Sequence, residues 1–165
     1  MRKLFYSLIL VLIASSSVAQ ELVIRDVFKQ MPDSLMPYLS TNNRLDFIDF
    51  LDSNMKAEVK NLFDGTSEMT ALTSDSLSIR MNGALHLDML LLKLDKPLDT
   101  ISYVLVFAET FKTDSVYGDT NVKFFTTTWQ QIRRNIPWND IQRTRIENLG
   151  LQNILKWDKK KFNES

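Results

Sequence analysis

The sequence predicts an α+β domain, with short amino-terminal helices packed on an antiparallel β-sheet, and three observations carry that prediction. Helical periodicity is concentrated in residues 42–55, NNRLDFIDFLDSNM. Beyond them the chain turns strand-like and is divided by the turn dipeptides Asp64-Gly65 and Asn82-Gly83. Residues 101–108, ISYVLVFA, are apolar at every second position and small or apolar at the others, as a strand in the middle of a sheet requires.

Residues 1–19 have the form of a secretory leader. Arg2 and Lys3 give a charged start, residues 4–14 an apolar run shorter than the ~20 residues a membrane span needs, and Ser17, Val18, Ala19 a small-x-small cleavage site. The mature chain is expected to begin at Gln20, with no transmembrane segment after cleavage. Residues 20–157 are expected to form a single domain and residues 158–165 a charged tail. Two of the 20 basic residues leave with the leader while all 20 acidic ones stay, a net charge of about −2, which offers no electrostatic case for nucleic acid. An exported chain with no cysteine has no disulfide, so burial alone must stabilise it.

Leu22, Val23, Val27 and Phe28 suit a short amphipathic turn or strand, and Asp33 and Ser34 can cap a short helix between Pro32 and Pro37. In residues 42–55 a step of about 100° per residue gathers Phe47, Ile48, Phe50, Leu51 and Met55 on one side and Asp46, Asp49, Asp52 and Lys56 on the other. Only Leu45 is out of place. Thr41, Asn42 and Asn43 supply the polar start.

Strands are expected at residues 69–73, 77–81 and 85–93. Face matching at Asn82-Gly83 favours a three-residue loop, Met81-Asn82-Gly83, with Gly83 left-handed, Ile79 opposite Leu85 and Leu77 opposite Leu87. Pro97 and Asp99 mark the next turn, residues 114–119 a loop and residues 121–128 another strand. Trp129, Ile132 and Ile136 recur at helical spacing before Pro137, which predicts a helix there. Asn139 or Asp140 is expected to cap a further helix reaching Leu149, with Gly150 at its end. Residues 151–157 suit a last strand.

MPDSLMPYLSTNNRLDFIDFLDSNMKAEV, residues 31–59, resembles the signature of a bacterial exported family known as domain of unknown function 3256, with its MP, LLPYL and NxRLDxIDF elements. SEMTALTSDSLSIRM at residues 67–81, and Thr113-Asp114-Ser115 ahead of an aromatic strand and Trp129, are similar to the same family. The resemblance reaches to about residue 129 and is most specific over 31–59. It implies no activity, because the family is named for lacking one.

Absences limit the chemistry. One histidine and no cysteine exclude the common structural zinc sites and a cysteine nucleophile. Four scattered glycines assemble neither a phosphate loop nor a dinucleotide fingerprint. No metal or cofactor is expected. His86 and Asp88 emerge on one face of a strand, where a serine brought alongside could complete a triad; a surface histidine is the plainer reading. Asp46, Asp49 and Asp52 share a helix face that Asp33 could approach. Such a cluster is open to solvation, to Ca²⁺, or to acid and base work on a glycan, and pairing of Asp52 with Lys56 favours solvation. Among the late aromatics, Tyr117 and Trp138 are expected to be exposed and free to stack on a sugar or dock a protein.

The sequence therefore points to a soluble exported protein, periplasmic or extracellular, whose preferred role is a non-catalytic module binding an envelope protein or polysaccharide. The alternative is a carboxylate-dependent hydrolase acting on glycan. Asp33, Asp46, Asp49, Tyr117 and Trp138 are the ligand-binding candidates.

Overall fold

Short turns join each strand to the next, and the result in the computed structural model, which describes residues 22–113 and 116–148, is one sheet of seven strands in sequence order, every neighbour antiparallel. The strands are β1 (Glu58–Lys60), β2 (Thr66–Leu72), β3 (Ser76–Arg80), β4 (Leu85–Leu98), β5 (Ile101–Thr113), β6 (Val116–Phe125) and β7 (Gln131–Ile132). Before them come helix α1 (Ile24–Lys29), a 3₁₀ turn (Asp33–Leu35) and helix α2 (Thr41–Asp52); after them comes α3 (Asp140–Asn148). This is the α+β arrangement expected. The leader, the expected helix end at Leu149 and Gly150, the strand at 151–157 and the tail lie outside the described residues.

The interior strand β5 is buried on both sides, and each side has its own core. Leu105 and Phe107 belong to a cluster with Ile24, Phe28, Phe47 and Ile48, so the amino-terminal helices cover that face. Val104, Val106 and Ala108 belong to a second cluster with Ile132, Ile136, Trp138 and Ile146, so the carboxy-terminal segment covers the other. The larger alternate side chains face α1 and α2, where the greasy side of α2 was expected to find its partner. Ile101, at the start of β5, instead packs with the second cluster.

The cap of helix α2 lies one residue before the expected polar start at Thr41. Ser40 is the N-cap, its hydroxyl accepting from the Asn43 amide at 3.2 Å while Asn43 Oδ1 accepts from the Ser40 amide at 3.1 Å. The helix stops at Asp52. Asn54 is left-handed, φ 54°, and the Met55 amide reaches back to the Phe50 carbonyl at 2.8 Å, the six-to-one bond of a Schellman end with asparagine in the glycine position. Met55 is thereby carried out of the helix and is 51% exposed, a correction to its place on the greasy face.

The β3–β4 hairpin keeps the expected faces but not the expected pairs. Ile79 lies opposite Leu87 and Leu77 opposite Met89, a shift of two residues, so the same side chains stay on the core side. The three-residue loop is Asn82-Gly83-Ala84, closed by the Met81 amide on the Leu85 carbonyl at 2.9 Å. Gly83 is not left-handed. Asn82 Oδ1 accepts from the amides of Ala84 and Leu85, both at 2.8 Å, and this side-chain turn does the work assigned to glycine.

The helix expected from Trp129, Ile132 and Ile136 does not form. Trp129 has φ 64°, and residues 131–132 pair with β6 as a short strand. The three side chains go to different faces, Trp129 to the first cluster and Ile132 and Ile136 to the second. β6 also resumes at Val116, so much of the loop expected at 114–119 is strand.

Trp129 ties the sheet to α1, its indole Nε1 donating to the Val27 carbonyl at 3.0 Å. Trp129→Phe keeps an aromatic ring but removes this bond and leaves the Val27 carbonyl only the Gln30 amide, at 3.2 Å, at a cost of about 0.5–1.5 kcal/mol. The change should lower the denaturant midpoint without altering the slope of the transition.

Candidate functional site

Of the acidic candidates, Asp33 is already engaged. Arg44, on the first turns of α2, is 1% exposed and donates to the main-chain carbonyls of Leu39 at 2.9 Å and Met31 at 2.6 Å. Its Nη1 lies 2.8 Å from Asp33 Oδ1, and the Thr41 hydroxyl donates to the same carboxylate at 3.3 Å. The hydrogen bond from Arg44 holds the Asp33 carboxyl below its ordinary value. Arg44 thus staples the chain between α1 and α2, and Asp33 supplies its counter-charge. An arginine within an amphipathic helix reads as surface, which is why sequence reasoning missed it. The clue was the helix start, where a long side chain can turn back onto preceding carbonyls.

Asp46 and Asp49 are exposed on α2, while Asp33 is turned to Arg44. Asp52 pairs with Arg25 of α1 at 2.6 Å, not with Lys56 as expected, because the helix ends at Asp52 and Lys56 is carried on to pair with Glu58 and Glu68. Among the described residues no group of three or more histidine and carboxylate side chains is placed to hold a metal ion.

His86 and Asp88 do meet a serine. His86 Nε2 lies 3.4 Å from Asp88 Oδ1, and the Ser78 hydroxyl donates to that same oxygen at 2.5 Å. The order is wrong for a nucleophile, since the carboxylate sits between serine and histidine and holds the hydroxyl proton itself, whereas a triad needs histidine in the middle. His86 belongs instead to a row, Glu58, Glu68, Arg80, His86, Thr110 and Thr120, aligned residue by residue across β1 to β6. Arg80 bonds Glu68 within it. This polar row lies on the same sheet face as the second cluster, beyond the part that the carboxy-terminal segment covers.

Trp138 is buried, 6% exposed, a correction to its expected exposure. Its ring packs on Phe124 at 5.7 Å between centroids. Asn139 and Gln142 cap α3 reciprocally, and Gln142 donates to the Lys93 carbonyl at 2.6 Å. These bonds draw the loop carrying Trp138 onto the sheet. Tyr117 falls within β6; its side chain lies outside the described residues.

Two neighbouring apolar side chains stand exposed elsewhere, at the β1–β2 turn. Leu62 and Phe63 are 62% and 61% exposed, and Phe63 stacks on Tyr38 at 4.7 Å between centroids. The turn beneath them is tightly braced. Asn61, 5% exposed, accepts from the amides of Phe63 and Gly65 at 3.0 and 3.1 Å and donates to the Ser67 hydroxyl at 3.0 Å. The Leu62 amide donates to the Tyr38 carbonyl at 3.0 Å. A Cβ at Gly65 would meet Asn61 Nδ2 at 3.2 Å, a tight contact against a side chain held by its own bonds, and Asp64 takes φ 58° to complete the turn. The signal was present in the sequence: Leu-Phe directly before Asp-Gly places two large apolar residues where turns are polar.

Among the described residues, open grooves flank the sheet. One, of about 740 Å³, is lined by Val23 and Arg25 of the α1 region, Leu51 and Asp52 of α2, and residues 70–74. Another, of about 400 Å³, is rich in hydroxyls from residues 100–103 and 126–128. Asp33, Asp46 and His86 line neither.

Comparison with known proteins agrees with the resemblance read from residues 31–59. The model of a family described as a protein of unknown function, DUF3256, matches residues 14–164. The chain belongs to that family. The match continues past Trp129, through the segment that covers the second face of the DUF3256 sheet. No curated protein matches. A domain of an uncharacterized protein from Porphyromonas gingivalis W83 is similar in fold, with a TM-score of 0.54 and 18% identity over 81% of this chain and 68% of that one.

The Arg44 bond sets a pH dependence. A carboxyl whose folded pKa is depressed contributes stability above its unfolded value, and that contribution is lost as pH falls through the folded one. Asp33→Asn should therefore lower the denaturant midpoint at pH 7, and the gap from the unsubstituted protein should close below the normal value of 3.8. Arg44→Lys, which cannot reach both carbonyls with a planar fork, should destabilise at both pH values.

Proposed function

We propose that this protein is an exported, non-catalytic binding module of the cell envelope that docks another protein through Tyr38, Leu62 and Phe63. The observation that supports it is the braced turn. Two large apolar side chains stand mostly in solvent on a loop whose own backbone is fixed by the buried Asn61 network. Apolar display on a rigid support lowers the ordering cost of association and is the form that binding hot spots take. The leader-like residues 1–19 support export, and no described helix is long and apolar enough to cross a membrane. A hydrolase acting on glycan would need Asp33, Asp46 or His86 in a shared cleft, and the arrangement of those residues lends that reading no support.

The combined change Leu62→Ser and Phe63→Ser spares Asn61 and gives up the Phe63–Tyr38 ring contact, so it should cost about 0.5–1.5 kcal/mol and leave the fold intact. With a photo-reactive amino acid at position 63 in living cells, one discrete envelope adduct is expected, and Leu62→Ser should abolish it. Illumination that gives no adduct, or the same adduct with Leu62→Ser, would count against docking through this turn.

A further inference from the structure

The edge of the sheet at β2 is covered only in part. β1 pairs with β2 at three positions, the last being Glu58 opposite Glu68, and the Met69 amide then donates to the Ala57 carbonyl at 2.9 Å. The next main-chain bond on that side is the Ile24 amide on the Ser74 carbonyl, at 2.8 Å. Between these two bonds, among the described residues, nothing pairs with the outer edge of residues 70–73. Thr70, Ala71 and Thr73 are exposed and Leu72 is half-buried. At roughly 3.4 Å per residue the gap is about 14 Å long.

The groove of about 740 Å³ runs beside this same gap. Its far wall is Val23, Leu51 and the Arg25–Asp52 ion pair, the latter 2.6 Å between charged atoms. That pair is satisfied internally, so the groove presents no free charge from its walls. What it offers is unpaired strand edge and the apolar surface of Leu51, Leu72 and Val23, the Thr70 and Thr73 hydroxyls being bonded to Ser78 and Ser76.

We propose that this gap is a docking site for an extended, uncharged segment of a partner polypeptide, which adds to β2 as a short strand. The complementary ligand for an uncovered strand edge is another extended backbone, because its donors and acceptors recur at the same spacing. The two bounding bonds limit the added strand to about four residues. A register shift between Met69 and Ala71 bends β2 at the gap, which disfavours pairing with a long, flat strand. Apolar residues at alternate positions of the added segment would meet Leu51 and Val23, the side chains between them the solvent. The site lies toward the end of β2 opposite the Leu62–Phe63 turn, so the two surfaces are separable.

The test uses the full mature chain and a blocked heptapeptide of alternating threonine and valine with a lysine at each end. With millimolar peptide, amide hydrogen exchange within residues 70–72 should slow at least tenfold. Two derivatives N-methylated on alternate amides separate main-chain pairing from side-chain contact, since a strand uses one set of amides and leaves the other in solvent. One derivative should lose the effect and the other keep it, and Leu62→Ser with Phe63→Ser should leave both results unchanged. The proposal is overturned if the unmodified peptide leaves exchange at 70–72 as it was, or if both methylated forms protect as well as the parent. Protection that rises with protein concentration in the absence of peptide would also overturn it, by showing a second copy in the gap.

Discussion

A strand buried on both faces cannot lie at the margin of a structure, and β5 sets that requirement for this one. With Leu105 and Phe107 on one side and Val104, Val106 and Ala108 on the other, two separate layers have to be found for it. The amino-terminal helices supply one and the stretch from Ile132 to Ile146 supplies the other. Removal of apolar surface from water is the dominant favourable term in folding, and a chain with no cysteine has no covalent substitute for it. Much else follows, including the length of β4, which runs beside β5 from Leu85 to Leu98, and the docking of α3 through Gln142 onto the β4 backbone.

The first layer has a second requirement. Three short elements, α1, the 3₁₀ turn and α2, expose main-chain carbonyls where they meet, and those carbonyls are buried. Arg44 satisfies them. A buried guanidinium is tolerated when most of its donors are used and a carboxylate is near; both Nη atoms of Arg44 are bonded while its buried Nε is not, and Asp33 provides the carboxylate at the surface. The residue that gives the acidic stretch its look of a catalytic cluster is thus part of the joint between two elements, while Asp46 and Asp49 face the solvent.

Local rules are broken at the two places proposed to bind. Turns favour polar residues, yet Leu62 and Phe63 occupy one; natural sheets cover or blunt their edges, yet among the described residues nothing pairs with β2 between two fixed points. In each place the surrounding backbone is held firmly, by Asn61 in one case and by bonds at Met69 and Ser74 in the other. Firm support beneath an exposed apolar or unpaired surface is what lets such a surface bind without first being ordered. Both surfaces fit a protein that works by association, and both are distinct from the carboxylates and the histidine that first drew notice.

The sequence by itself determined the α+β class, the greasy side of α2, the alternation of β5 and the family, because these depend on periodicity and local pattern, which are properties of neighbouring residues. It also determined the face that each side chain of the β3–β4 hairpin would take, since face follows from odd and even position, but not the register, because a shift of two residues leaves every face unchanged. Only the tertiary structure decided the rest. Trp129, Ile132 and Ile136 have helical spacing, but two opposite sheet faces needed covering and the chain divided them in an extended path. Arg44 became a core residue because carbonyls at Met31 and Leu39 lacked donors, and Asp88 came to lie between Ser78 and His86 because strand pairing set them side by side. Each of these turns on which distant group arrives next to a residue, and spacing along the chain carries no record of that.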